Sequence, residues 1–154
     1  MAQIAVYLLP EALDAAQAHS DFLTCFGATG AVAAFTGVVR GEAKTGAVDY
    51  LYLDWYPGMT EATMQAIAES AAARFGIQAL AIHHRCGKVR AGEPIVFVAA
   101  ASAHRRAAFE AVDYMMDRLK SEAALWKREV GPQVDHWVEP TDKDGEDLKR
   151  WSQT

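Results

Sequence analysis

Apolar and polar positions alternate at Ile4, Val6 and Leu8, which predicts a short first strand that Pro10 limits. A weak helical pattern follows through Phe22, and Gly27 and Gly30 mark a loop. Residues 31–39 read as a strand with Gly37 inside it, and 48–56 read as a second, rich in aromatics. Between them, 40–46 form a polar, glycine-flanked segment, either a hairpin connection or a mobile loop over a site. Pro57-Gly58 makes a turn, Thr60 fits a helix N-cap with Glu61 in the first turn, and Gly76 fits the stop after Phe75. Met64, Ile67, Ala68 and Ala71 give that helix its inner face. Residues 77–84 and 94–101 are further strands, joined by a turn over 87–92. A long helix begins near Ala103 behind Ser102 as N-cap, with Ala108, Val112, Met115 and Leu119 facing the core. A last short strand is expected over 135–139. The order of elements predicts an α+β (mixed α/β) fold, with helices covering one face of an antiparallel or mixed sheet.

Length changes little in this picture: 154 residues suit one domain, read as 1–140, followed by an acidic polar tail over 141–154. Composition predicts that tail to be solvated and partly mobile. The start of the chain lacks a signal-peptide pattern and no apolar run is long enough to span a bilayer, so the cytoplasm is the expected compartment. Cys25 and Cys86 are unpaired in spacing and are expected to be buried free thiols. No glycine-rich nucleotide motif is present, and no cluster has metal-ligand spacing, so no metal is expected.

Charge changes the picture more. The chain carries a formal net charge of -5, yet residues 102–129 gather His104, Arg105, Arg106, Arg118, Lys120, Lys127 and Arg128 around an apolar stripe. A local basic cluster in an acidic chain points to a discrete anion site and not to a nucleic-acid surface. His104 and Arg105 would fall in the first helical turn, where free backbone N–H groups favour phosphate or carboxylate. Arg105 and Arg106 could equally pair with Glu110 or Asp113. If helix persists, Lys120 and Lys127 share one face with Met116 one turn earlier, which suits either a catalytic amine or solvent-facing lysine stems. Arg40 follows a strand and opens the polar segment, a natural place for a group that closes over an anion. His83 and His84, adjacent in a strand, point to opposite faces and cannot chelate together, so one is expected buried and the other exposed. Trp126 reads as packing.

These residues lie in blocks that resemble the MoaE family, the large catalytic subunits of molybdopterin synthase. The blocks are Phe35-Thr36-Gly37-Val38-Val39-Arg40, Tyr56-Pro57-Gly58-Met59-Thr60, Ile82-His83-His84-Arg85 and Pro94-Ile95-Val96-Phe97-Val98. They continue through Ser102-Ala103-His104-Arg105, Ala108-Phe109-Glu110-Ala111, Trp126-Lys127-Arg128-Glu129 and His136-Trp137-Val138-Glu139, in order. The resemblance implies an α/β hammerhead fold and a homodimer. It implies that each subunit binds a small ubiquitin-like sulfur-carrier protein with a Gly-Gly C-terminus, giving a heterotetramer. The carrier's terminal thiocarboxylate would deliver sulfur to cyclic pyranopterin monophosphate, forming the dithiolene of molybdopterin. No cofactor is implied, because the pterin precursor is substrate and molybdopterin is product.

On this resemblance Lys120 and Lys127 are the catalytic lysines, with Lys120 nearest the carrier's terminal glycine. Arg40, His104, Arg105 and His136 fall on substrate-binding positions, with phosphate at His104 and Arg105, and Phe35, Met116 and Glu129 flank them. Family pockets are completed across the dimer. Two positions depart from the pattern: Val38 replaces a frequent lysine, and His136 a frequent arginine, which would weaken phosphate binding or make it pH-dependent. The alternative reading is a non-catalytic module that binds the carrier's C-terminal tail.

Overall fold

The computed structural model describes residues 1–152. In chain order the elements are β1 (Gln3–Leu9), α1 (Ala15–Phe26), β2 (Ala31–Val38), β3 (Glu42–Ala43), β4 (Gly46–Ala47), β5 (Tyr50–Trp55) and α2 (Met59–Phe75). They continue with β6 (Ala79–Arg85), β7 (Gly87–Arg90), β8 (Pro94–Ser102), α3 (Arg105–Glu122), β9 (Leu125–Val130), β10 (Asp135–Val138) and α4 (Asp142–Lys149). The architecture is the mixed α/β arrangement of antiparallel and mixed sheets covered by helices that the pattern of elements predicts.

The first sheet has the order β1-β6-β8-β2, parallel between β1 and β6 and antiparallel elsewhere. Alternation along its strands assigns the faces. Leu80, Ile82, Val96, Val98 and Ala100 join the main core with Met64, Ile67, Ala111 and Met115 of α2 and α3. Ala79, Ala81, Phe97, Ala99 and Ala101 point the other way, onto Phe22 of α1. Helices therefore cover both faces, where one was expected. That is why β8 reads as a continuous apolar run without polar alternation.

The second sheet, β10-β9-β5-β7, contains two strands the sequence pattern did not reveal. β7 lies inside the predicted turn, and β9 lies where the long helix was expected to continue. The polar segment after Arg40 is a small hairpin, β3 against β4. Of the two cysteines only Cys86 is buried; Cys25 is exposed on α1.

Helix starts also differ. Met59 opens α2, so Thr60 is not its cap; the Glu61 carboxylate accepts from Gly58 N–H at 3.1 Å. Ser102 ends β8, and its hydroxyl accepts from His104 N–H at 3.1 Å and donates to the His104 carbonyl at 2.8 Å. It thereby fixes the residue before α3.

The acidic end of the chain folds. Thr141 and Asp144 cap α4 reciprocally. Asp117 of α3 accepts from Arg150 Nη2 at 2.6 Å and Trp151 Nε1 at 2.7 Å. The Trp151 ring meets Phe75 and Tyr114 edge-on. A solvated, partly mobile tail was expected because composition cannot show that one tryptophan and one arginine have a buried carboxylate to reach.

Candidate functional site: a lysine pair at an apolar groove

A groove of about 330 Å³ runs between the edge of β2 and the helices α3 and α4. Phe35, Phe109 and Met116 supply its apolar wall, and Lys120 stands at one end beside Asp144. Met116 and Lys120 are one turn apart on α3, so they share a face. Lys120 Nζ is 3.8 Å from Asp144 Oδ1, and its side chain is 53% exposed.

Lys127 comes near Lys120 and Asp144 by a different route from the one expected. α3 ends at Glu122, Ala123 is extended, and the chain returns as β9. Thr60 makes this reversal: its buried hydroxyl donates to the Ala124 carbonyl at 2.7 Å and accepts from Tyr56 N–H at 3.0 Å. Lys127 then pairs with Leu53 of β5 and Val138 of β10 in the middle of the second sheet. It is half-buried. Burial lowers its pKa below the ordinary lysine value, the nearby Lys120 ammonium lowers it further, and Asp144 partly offsets both. For Asp144, burial acts to raise the pKa, but hydrogen bonds from Thr141 and the two lysines hold it below the usual carboxylate range.

His84 completes this neighbourhood, and the sequence reading assigned it no role. It is buried, while His83 is half-buried between Tyr7 and Phe97. Its Nδ1 lies 2.7 Å from the Arg85 carbonyl. A carbonyl only accepts, so Nδ1 carries the proton and Nε2 keeps a lone pair. Burial pushes its pKa down to about 4; the Arg85 hydrogen bond opposes that and Lys127 reinforces it. The available signal was its place in a strand that opens on the apolar run Ala79-Leu80-Ala81-Ile82.

Glu129 lies two residues after Lys127, on the same face of β9. His136 sits opposite it on β10, with Nε2 3.8 Å from Glu129 Oε2. That oxygen is buried and has no hydrogen-bond partner among the described residues. Arg40 is exposed just past β2, its neighbour Val39 tied by Val39 N–H to the Glu93 carbonyl at 3.0 Å and by Gly92 N–H to the Val39 carbonyl at 2.8 Å.

His104 and Arg105 do not join the lysines within one chain. They are exposed at the start of α3, and Lys120 is near its end. Fifteen residues of helix separate Arg105 from Lys120 by about 22 Å. Neither Arg105 nor Arg106 pairs with Glu110 or Asp113; Asp113 pairs with Arg150, and the two arginines make no ion pair among the described residues. The chain thus presents two cationic half-sites, one at each end of a single helix. Among the described residues no group of three His, Cys, Asp or Glu side chains is placed to hold a metal.

Fold and site together define a small mixed α/β protein with a lysine pair beside an apolar groove. Residues 8–122 match the family described as MoaE protein, and the chain belongs to that family, the molybdopterin synthase catalytic subunits. It is 53% identical over 125 residues to the molybdopterin synthase catalytic subunit of Caulobacter vibrioides, covering 81% of this chain and 82% of the relative. The molybdopterin cofactor biosynthesis protein E of Burkholderia multivorans superposes with a TM-score of 0.80 at 35% identity, covering 97% of each chain. A Helicobacter pylori structure, described as the protein–protein complex of subunits 1 and 2 of molybdopterin-converting factor, shares the fold at 20% identity. Its TM-score is 0.70, with 87% of this chain and 90% of that one covered.

Proposed function

We propose that this chain is the catalytic subunit of a molybdopterin synthase, moving sulfur from the C-terminal thiocarboxylate of a small ubiquitin-like carrier to cyclic pyranopterin monophosphate. Membership of the MoaE family supports an enzymatic sulfurtransferase role. The observation that carries the finer reading is that Lys120, which lines the groove, acts electrostatically on the more buried Lys127 and helps to hold it below the ordinary lysine pKa.

The roles follow from exposure and charge. Lys120, the more exposed ammonium, meets the carrier's anionic terminus as it enters beside Phe35 and Met116. Replacing Asp144 in that exposed contact costs little, because such pairs contribute about 0–1 kcal/mol. Lys127, with its proton more loosely held, handles proton transfer to the pterin as sulfur leaves the carrier. Glu129 and His136 flank it, and Arg40 closes the rim. His104 and Arg105 bind the cyclic phosphate of a site whose lysines belong to another copy of the chain, since their own lysines are out of reach. The complex of subunits 1 and 2 described for the Helicobacter pylori protein is consistent with a protein partner.

The test is a reconstituted assay with purified protein, thiocarboxylated carrier and pterin precursor, read by mass spectrometry for the dithiolene product. Lys120→Ala should abolish product while the protein stays folded. An active Lys120→Ala variant overturns the assignment of Lys120. Carrier bound by the wild type without product supports the alternative of a non-catalytic tail-binding module.

A further inference from the structure

His84 is buried and ionisable, yet no step of the proposed reaction uses it. On β6 it follows Leu80 and Ile82 at alternate positions, so its ring faces the main core with them. Val96, opposite it on β8, lies in the same core. Lys127 comes to that core from the second sheet. It stands opposite Leu53, which is fully buried there, and directly opposed residues of an antiparallel pair share a face. Gly87, opposite Leu53 on its other side, begins β7 three residues after His84. Imidazole and amine thus approach one another from the two sheets, close enough for the Lys127 charge to act on the ring.

The ring is set in one tautomer, with Nδ1 committed as donor to the Arg85 carbonyl at 2.7 Å. The residue that bears this carbonyl is itself held. The buried Arg85 guanidinium donates from Nε to the Leu9 carbonyl at 3.3 Å, and from Nη2 to the Pro10 and Lys88 carbonyls at 3.2 and 3.0 Å. Only Nε2 of His84 remains, as an acceptor. Lys127 has the opposite need. Its ammonium has only donors and makes no ion pair among the described residues. Burying such a group without acceptors is costly. Asp144 acts on it, but that carboxylate stands 3.8 Å from Lys120 Nζ and is shared.

We propose that His84 is a positioning residue for Lys127: Nε2 accepts from the Lys127 ammonium, across no more than one water, and so turns a remaining N–H toward the pterin. The proposal rests on the sulfur-transfer reading for what Lys127 then does, but not for the contact itself. A neutral imidazole suits the task, because it fixes the ammonium without adding another cation beside Lys120. Burial keeps the ring neutral at neutral pH. His84 takes up no proton in the cycle; Lys127 gives one to the pterin and regains it from water.

Two amide variants separate the two ring nitrogens. An asparagine side chain reaches the Nδ1 position and keeps the bond to the Arg85 carbonyl, but ends short of Nε2. A glutamine side chain reaches the Nε2 position and gives up that bond. Lys120 and Asp144, the charged groups that act on Lys127, are unchanged in both. Without carrier or pterin, the Lys127 Cε resonance should titrate at lower pH in His84→Asn than in the wild type, because the ammonium has lost an acceptor. In His84→Gln it should titrate as in the wild type. In the reconstituted assay His84→Asn should lose about a hundredfold in kcat with KM for the pterin little changed, the cost of misplacing a reacting group by about 1 Å. His84→Gln should recover most of that loss. A merely structural histidine gives the reverse order, since asparagine keeps the bond at the end of β6.

Should either variant fail to fold, Lys127→Met decides: the His84 Nε2 nitrogen resonance should move while Nδ1 stays in place. Equal behaviour of His84→Asn and His84→Gln, a Lys127 midpoint unmoved in His84→Asn, or an Nε2 resonance indifferent to Lys127→Met overturns the proposal. An inactive wild type defeats the sulfur-transfer reading instead, and the resonances still decide the contact.

Discussion

Lowering the pH should unfold this protein through His84. In the folded state the ring is buried and its pKa lies at about 4 against an ordinary value of 6.5. The unfolded chain therefore binds this proton first, and stability is complete above about 6.5 and falls as the pH drops toward 4. At about 1.4 kcal/mol per tenfold, the full loss is about 3 kcal/mol, and about 2 kcal/mol of it has gone by pH 5. For a domain this size that is a large fraction of the total stability. Urea denaturation from pH 4 to 8 should show this slope, and His84→Asn, whose amide N–H still reaches the Arg85 carbonyl, should lose it. Parallel stability curves for the two proteins, or a His84 proton titrating near 6.5 by NMR, would refute the reasoning.

Three further outcomes follow from the same contacts. Asp144→Asn removes the carboxylate that offsets burial and Lys120, so the Lys127 Cε resonance should titrate at lower pH than in the wild type; an unmoved midpoint separates Asp144 from the pair. Trp151→Ala should free the C-terminal helix and cost about 2–3 kcal/mol in urea, at the low end for a large aromatic because Trp151 is only partly buried; equal stability would mean that α4 docks without it. Thr60→Val leaves the Ala124 carbonyl and Tyr56 N–H without their hydroxyl partner, at about 1–3 kcal/mol. The turn before β9 should loosen and the Lys127 midpoint rise toward the exposed value; a loss of stability with no change at Lys127 would detach the turn from the site.

Much of the fold was legible because its signals are local. Alternation at Ile4, Val6 and Leu8, the Pro57-Gly58 turn and the Met64–Ala71 face each need only neighbouring residues. The missed features depend on distant ones. β7 is four residues whose only reason to be a strand is β5 beside it. The second helical cover, α1, shows in β8 only as the absence of polar alternation, which a buried helix would also give. The acidic tail looked solvated because Asp117, thirty-four positions before Trp151, is what orders it. Among site residues, Arg40, Lys120 and Met116 lie where local pattern put them. The separation of His104 and Arg105 from the lysines is a matter of helix length, already implicit in residue spacing.

The break in α3 decides whether there is a lysine pair at all. Continued helix would carry Lys127 to a solvent-facing position about 10 Å along the axis from Lys120, too exposed for burial to loosen its proton. Nothing in Ser121, Ala123 or Ala124 forbids helix, and alanine favours it. The reversal is imposed from outside, by the buried Thr60 hydroxyl on the Ala124 carbonyl and by the pairing of β9 with β5. Once reversed, the chain places Lys127 between Leu53 and Val138, with His84 also close, and still near Lys120. Burial and a like charge then act on one amine together. The second sheet thus has a chemical consequence: it converts the distal lysine from a surface charge into a group that holds its proton less tightly than an ordinary lysine.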